Sequence, residues 1–454
     1  MSQSTPTPLR EGGVVEALFS LRVPWTRVWQ VGLVVAIVAP HVVGPSVGSV
    51  VVAGLGGALV LAYYFSVPRR LGGLLAPWAL LLLIGSIGAM QHPTSDVLRD
   101  VWYIGKIPIV LGVGYLFAAR IGALSTVLAT YAVGALCLAL PHVLQFVVDP
   151  SLLSLSTGTL RNRVGAGFVL TAFVPVVLWL ARREGVPVLE KQPWLWKACV
   201  GLSVLSLILS FSRTYAICLI LMALSPLFVR QVRAIRSKRQ ASVWRRAALV
   251  VLLLGVGVGW MQFAQQSNLV QFVDKVANSL VEITIQNQTD PEARNENWRG
   301  FEMYRAVRQY AEGSPVERLV GTGLGTKVDL GIRIPLGDRY FRYIPLLHNG
   351  YGMLLVKTGL IGAILYLLVF VQFLRRARHL GRRTTHGETR LAAMICVGCT
   401  LSVLLATLVI SGLLNPYAMD AAGLLLGSSL FVLHSAEQAR RDSTPAQASP
   451  SAAP

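Results

Sequence analysis

Pro345-Leu346-Leu347-His348-Asn349-Gly350-Tyr351-Gly352-Met353-Leu354-Leu355-Val356 marks the point where a long polar stretch, 261–348, gives way to an apolar run that continues to residue 374. At 1.5 Å rise per residue such a run, wound as a helix, crosses the roughly 30 Å hydrocarbon core of a bilayer. Further apolar runs lie on both sides of the polar stretch. Before it come 28–43, 47–65, 71–90, 101–119, 121–147, 164–181, 198–210, 215–229 and 247–263; after 347–374 come 391–411 and 417–434. The expected fold is therefore all-α, a polytopic membrane helix bundle of about 12 transmembrane helices. The expected division is an N-terminal segment 1–27, helices one to nine over 28–262, a large loop 263–346, helices ten to twelve over 347–434, and a Ser-, Pro- and Ala-rich disordered tail 435–454.

Composition agrees. Of the 454 residues 54% are hydrophobic and 14% charged, with a mean hydropathy of +0.59, against a charged share of about 25% in soluble domains. The net charge of +20 does not read as a nucleic-acid footprint, because the cations sit in short clusters beside apolar runs, where they orient a membrane protein. Alternate loops carry Arg10, Arg22 and Arg27; Arg69 and Arg70; Arg120; Arg182 and Arg183; seven cations and no acid over 230–246; Arg375 to Arg390; and Arg440 with Arg441. These sides are expected to be cytoplasmic, both termini included. The polar stretch, in which ten cations face ten acids, falls on the opposite side. No cleavable leader is expected in 1–27. The five cysteines lie in or beside apolar runs, so Cys396-Val397-Gly398-Cys399 reads as buried small residues, not a redox pair. No internal repeat suggests a transporter built from two related halves.

Within the polar stretch, 269–281 has the spacing of an amphipathic helix lying on the bilayer. Residues 295–312 read as a second helix, capped by Asn295, stopped by Gly313-Ser314-Pro315, with Arg299 near its first turn. Gly321-Thr322-Gly323-Leu324-Gly325-Thr326-Lys327 lacks the lysine spacing and preceding strand of a phosphate loop and reads as a tight turn.

A few side chains carry chemistry. Arg213, in Phe211-Ser212-Arg213-Thr214-Tyr215, stands at membrane depth with no carboxylate near it in sequence, which points to an interfacial anion such as a lipid diphosphate, or to a guanidinium reaching lipid phosphate. His348 opens an apolar span, where a helix N-terminus disfavours imidazolium and favours a neutral ring able to take a proton. The other six histidines, His41, His92, His142, His379, His386 and His434, are assigned structural or solvated roles. Asp420 lies inside the last apolar run, for a functional role or for helix pairing. No metal-binding pattern, nucleophile elbow or pair of facing carboxylates is present in the sequence, so neither a metal nor another cofactor is expected.

With these pieces in order, the chain resembles the O-antigen ligase and polymerase superfamily of membrane glycosyltransferases. The resemblance is carried by the twelve-span layout and by Arg299, Pro315, the 321–325 turn, His348-Asn349-Gly350-Tyr351 and Gly359-Leu360-Ile361-Gly362. Arg213 stands where the family has its membrane-edge arginine, and Arg161-Asn162-Arg163-Val164-Gly165 resembles an upstream arginine-glycine motif, followed here by Ala166-Gly167-Phe168 instead of an asparagine-rich turn.

The resemblance implies an inverting, metal-independent transfer of a glycan from undecaprenyl diphosphate in the bacterial inner membrane, with the active site and a helical loop on the periplasmic side. Arg213 and Arg299 would hold the diphosphate, His348 would act as the base, and Arg161, Arg163, Asn349 and Tyr351 would bind donor or acceptor. The partners implied are the carrier-linked donor, a lipid A-core or glycan acceptor, and membrane lipids. A ligase is expected first, then a polymerase or a protein O-oligosaccharyltransferase, and from another class a transporter of lipid-linked glycan.

Overall fold

A computed structural model describes residues 25–62, 69–155, 157–229, 284–286, 290, 294, 297–336 and 339–442. Along the chain run α1 (Trp25–Val42), α2 (Pro45–Ala62), α3 (Arg69–Ser86), α4 (Thr94–Ile121), α5 (Leu124–Val148), α6 (Thr157–Val164), α7 (Val169–Arg183), α8 (Pro193–Leu209), α9 (Arg213–Val229), α10 (Trp298–Glu312), α11 (Pro315–Val320), the strands β1 (Val328–Leu336) and β2 (Arg339–Ile344), then α12 (Gly350–Arg383), α13 (Gly387–Ile410) and α14 (Asp420–Asp442).

The chain is a helical membrane protein. Every expected apolar run coincides with one of these helices except 247–263, which lies outside the described residues together with the amphipathic stretch 269–281. Five helices, α2, α4, α5, α12 and α13, are by length and composition sufficient for a bilayer crossing. The 17 residues of α8 or α9 extend only about 26 Å, a few ångströms short of the hydrocarbon core.

The helix ends sort into two groups. At one end Arg70 donates to the carbonyl of His434, Arg120 to that of Ala62, Arg376 pairs with Glu437, and Arg390 pairs with Glu184. The described cations of alternate loops thus gather at one end of the bundle, and the described part of the polar segment caps the other. The core between them is interlocked by small residues. At the crossing of α14 on α4, a Cβ added to Gly427 would stand 2.0 Å from the carbonyl oxygen of Leu111 and one on Gly114 2.0 Å from that of Leu424. Such contact lets two backbones approach where lipid offers no hydrophobic drive. Lys106 of α4 is buried there too, donating to Asp420 at 2.7 Å and to the carbonyl of Pro416 at 2.9 Å.

Three expectations are corrected. The polar segment is not wholly helical, although the fold as a whole is all-α: β1 and β2 form an antiparallel hairpin pairing Val328 with Ile344 and Leu336 with Arg339, irregular between Asp329 and Ile334. The hairpin follows from alternation, since Val328 and Leu330 are buried while Asp329 faces out to a bidentate contact with Arg342. That guanidinium holds the Asp329 carboxyl below the ordinary carboxylate range. Second, α10 begins at Trp298, with Asn297 as its cap accepting from the N–H of Gly300; Asn295 is outside the described residues. Third, α14 continues to Asp442, past the expected start of a disordered tail, because Glu437 accepts from Arg376 and Arg441 and extends the helix beyond its apolar part.

Candidate functional site

At the end of the bundle capped by the polar segment is a cavity of about 760 Å³, within the size range of small-molecule sites. It is bounded by the turn after α1, the last turns of α5, the link from α6 to α7, the start of α9, the first turn of α10, His348 two residues before α12, and the end of α13 with its link to α14. Arg161, Arg213, Arg299 and His348 all line it, four residues from four distant parts of the chain. Among the described residues, no Asp or Glu joins them in the lining. Leu138, Phe168, Ile217, Leu405 and Leu408 supply an apolar wall beside the cations.

The helices place these cations against the ordinary preference. Arg213 is the first residue of α9 and Arg299 the second of α10, positions where the helix dipole carries partial positive charge and favours anions. Two guanidinium groups and two helix starts therefore meet at one cavity. Arg161, on the short α6, donates to the carbonyl of Phe211 at 2.6 Å. That bond ties it to the bend just before Arg213, where Phe211 takes a left-handed backbone with φ +46°.

His348 is held by a residue that its sequence neighbourhood does not suggest. Glu302 of α10, 2% exposed, accepts from the backbone N–H of His348 at 2.9 Å and lies 3.0 Å from its Nδ1. A carboxylate in this position accepts from an Nδ1–H, which in the neutral tautomer leaves the lone pair on Nε2. The ring itself is half-exposed. On the other side the His348 carbonyl accepts from the N–H of Ser411 at 2.7 Å, and the Ser411 hydroxyl donates to the carbonyl of Leu347. The imidazole is thus fixed between α10 and the C-terminus of α13.

The polar segment is fastened to the bundle below this ring. α12 breaks at Gly359, whose φ of +65° only glycine adopts without strain. The break leaves the carbonyls of Val356 and Lys357 outside the helical ladder, and they accept from the N–H groups of Thr322 at 2.9 Å and Gly323 at 3.2 Å. Asp100 of α4 ties the knot from the other direction, accepting from Lys357 at 2.6 Å and from the N–H of Gly325 at 2.7 Å. The 321–325 stretch is a tight turn, as its glycines suggest, and its partners are backbone carbonyls and a carboxylate.

The remaining sequence candidates are spread differently. Asn349 caps α12, accepting from the N–H groups of Tyr351 and Gly352, and Tyr351 donates its hydroxyl to the carbonyl of Leu404. Neither these two nor the exposed Arg163 lines the cavity. Asp420 is engaged by Lys106, the helix-pairing role. Conversely, His41 and His142, assigned structural roles from sequence, are in the cavity wall with Phe168 packed edge-on to both. His142 Nδ1 meets the Ser206 hydroxyl at 2.9 Å, while its buried Nε2 has no hydrogen-bond partner among the described residues. No family model matches the chain, and no curated protein matches it significantly.

Proposed function

We propose that this chain is a membrane glycosyltransferase that moves a glycan from undecaprenyl diphosphate to an acceptor hydroxyl at the periplasmic face, as an O-antigen ligase acting on lipid A-core. The observation that carries this is the convergence of Arg161, Arg213, Arg299 and His348 on one cavity. An isoprenoid diphosphate has the two chemistries such a cavity offers partners for, a hydrocarbon chain and a concentrated negative charge.

In the proposed reaction Nε2 of His348 takes the proton of the acceptor hydroxyl as its oxygen attacks the anomeric carbon. The bond from that carbon to the diphosphate oxygen breaks, and the electron pair leaves with the diphosphate. Arg213 and Arg299 hold the departing charge, and Glu302 stabilises the imidazolium that forms, as the buried carboxylate does in a serine-protease triad. Attack from the face opposite the leaving group inverts the anomeric centre.

Purified protein given a synthetic carrier-linked glycan and an acceptor tests the proposal. A glycosylated acceptor formed without other proteins is expected; movement of intact carrier-linked glycan across a bilayer, with no bond change, would assign the chain to transport. In cells, loss of O-antigen attachment with intact carrier-linked polymer on deletion is the ligase outcome. Accumulation of single carrier-linked repeats would make it a polymerase, and loss of protein glycosylation an oligosaccharyltransferase.

A further inference from the structure

A second cavity, of about 620 Å³, lies between the turn joining α3 to α4, the 321–325 turn and β2. Three aromatic rings of β2 line it: Tyr340 is 73% exposed, Phe341 38% and Tyr343 51%. So many large rings left to solvent on one short strand mark a contact surface. The lining cations here are paired with carboxylates. Lys327 pairs with Asp96 at 2.8 Å and Arg342 with Asp329 at 2.9 Å. A phosphate or an anionic headgroup would have to displace a carboxylate already in place.

The floor is preformed. His92 Nε2 is 2.9 Å from the Thr326 hydroxyl, and Gln309 of α10 binds β1 at both ends of its amide, donating to the Lys327 carbonyl and accepting from the N–H of Asp329. The lining also holds Glu317, whose carboxylate accepts from the N–H of Ser314 at 2.7 Å; rigid rings beside polar groups so engaged suit a ligand with apolar faces and hydroxyl edges. A neutral sugar presents its C–H faces to rings and its hydroxyls to such groups. The position fits as well: α10 presents Arg299 to the first cavity and Gln309 to this one, ten residues or about 15 Å apart along the helix.

We propose that this second cavity is a saccharide-binding cleft, in which neutral sugar residues remote from the transferred bond stack on Tyr340 and Tyr343; the inference rests on the glycan-transfer function proposed above. It would hold the glycan in register while its reducing end occupies the first cavity.

The test uses the full chain in detergent micelles and, as probe, the lipid-free glycan released by mild acid from carrier-linked material of the producing cells. Binding is followed by saturation-transfer NMR and by titration. The wild type and His348→Ala are expected to bind alike, since the cleft is apart from the imidazole. Tyr340→Ala with Tyr343→Ala should weaken binding about tenfold or more, with thermal unfolding unchanged, and the Tyr→Phe pair should retain it because the ring face is kept.

Equal binding by the alanine pair overturns the inference, as does transfer of carrier-linked glycan by a protein that fails to bind the free glycan. If the alanine pair instead loses binding to glycan-free vesicles of the cells' own lipid, the rings dock on the membrane and the saccharide cleft is wrong. Tyrosine-dependent glycan binding by a protein without transferase activity would keep the cleft and remove the transfer.

Discussion

Glu302 and His348 are 46 residues apart in sequence and one hydrogen bond apart in space. Arg213 stood out in the sequence because a cation at membrane depth is costly without a purpose, His348 because it opens an apolar span, and Arg299 through the resemblance of its surroundings to a family. Glu302 did not. It lies three residues after Arg299, the spacing of a local ion pair on a helix, whereas its carboxylate turns to the histidine. The role given to that carboxylate has a measurable consequence: Glu302→Gln should lower kcat about a hundredfold or more, since an amide no longer fixes the Nδ1 proton. His348→Ala should lower it by about 10²–10⁴-fold with the protein still inserted. Retention of normal turnover by His348→Ala would remove the base. For the diphosphate role, Arg213→Lys should also be damaging, because an ammonium gives a point charge where the guanidinium gives a planar fork. A donor titration on that variant separates weakened carrier binding from slowed chemistry.

Elements were legible where one period dominates and illegible where partners are remote. The helices of the bundle follow from apolar runs, and the hairpin was present in the alternation of Val328, Leu330 and Ile332 with Asp329, Gly331 and Arg333, beneath the stronger impression of a helical loop. The break at Gly359 could not be foreseen from α12 alone, because what makes it tolerable is the set of N–H groups arriving from the 321–325 turn. The pairing of α4 with α14 through Lys106 and Asp420 was equally remote, the partners standing 314 positions apart. Lys106→Met leaves a carboxylate buried without its cation and should cost about 3–5 kcal/mol of stability. The double variant Lys106→Met, Asp420→Leu should recover much of that loss in unfolding measurements. Equal destabilisation by the single and double changes would show that the lysine acts mainly through the carbonyls of Asn415 and Pro416, which it also binds.

For the molecule as a whole, the cation count read the loops into two sets, and the folded chain gathers the described members of one set at a single end. The count says nothing of which helices touch, and the neighbourhood of α14 and α4, or of α13 and α9, had to come from packing. The proposed orientation is open to a labelling experiment. With Cys137, which lines the first cavity, changed to Ala, a cysteine at Met90 should react with a membrane-impermeant maleimide added to intact cells, and one at Thr385 only after the membrane is opened. The reverse pattern would turn the molecule over and put the cavity on the cytoplasmic side, where the proposed acceptors are absent.

The knot at Gly359 also bears on how a substrate is held at the site. The 321–325 turn, Asp100 and the upper half of α12 are bound to one another through main-chain groups, and α10 is joined to the ring of His348 by Glu302. Imidazole and Arg299 thus belong to one stiff block, an anvil. Arg161 and Arg213 reach the same cavity from other elements, with Arg161 bound to the Phe211 carbonyl two residues before Arg213. An anion of the proposed kind would touch that block and the α6–α9 side at once, clamping together charges that separate helices deliver to one cavity.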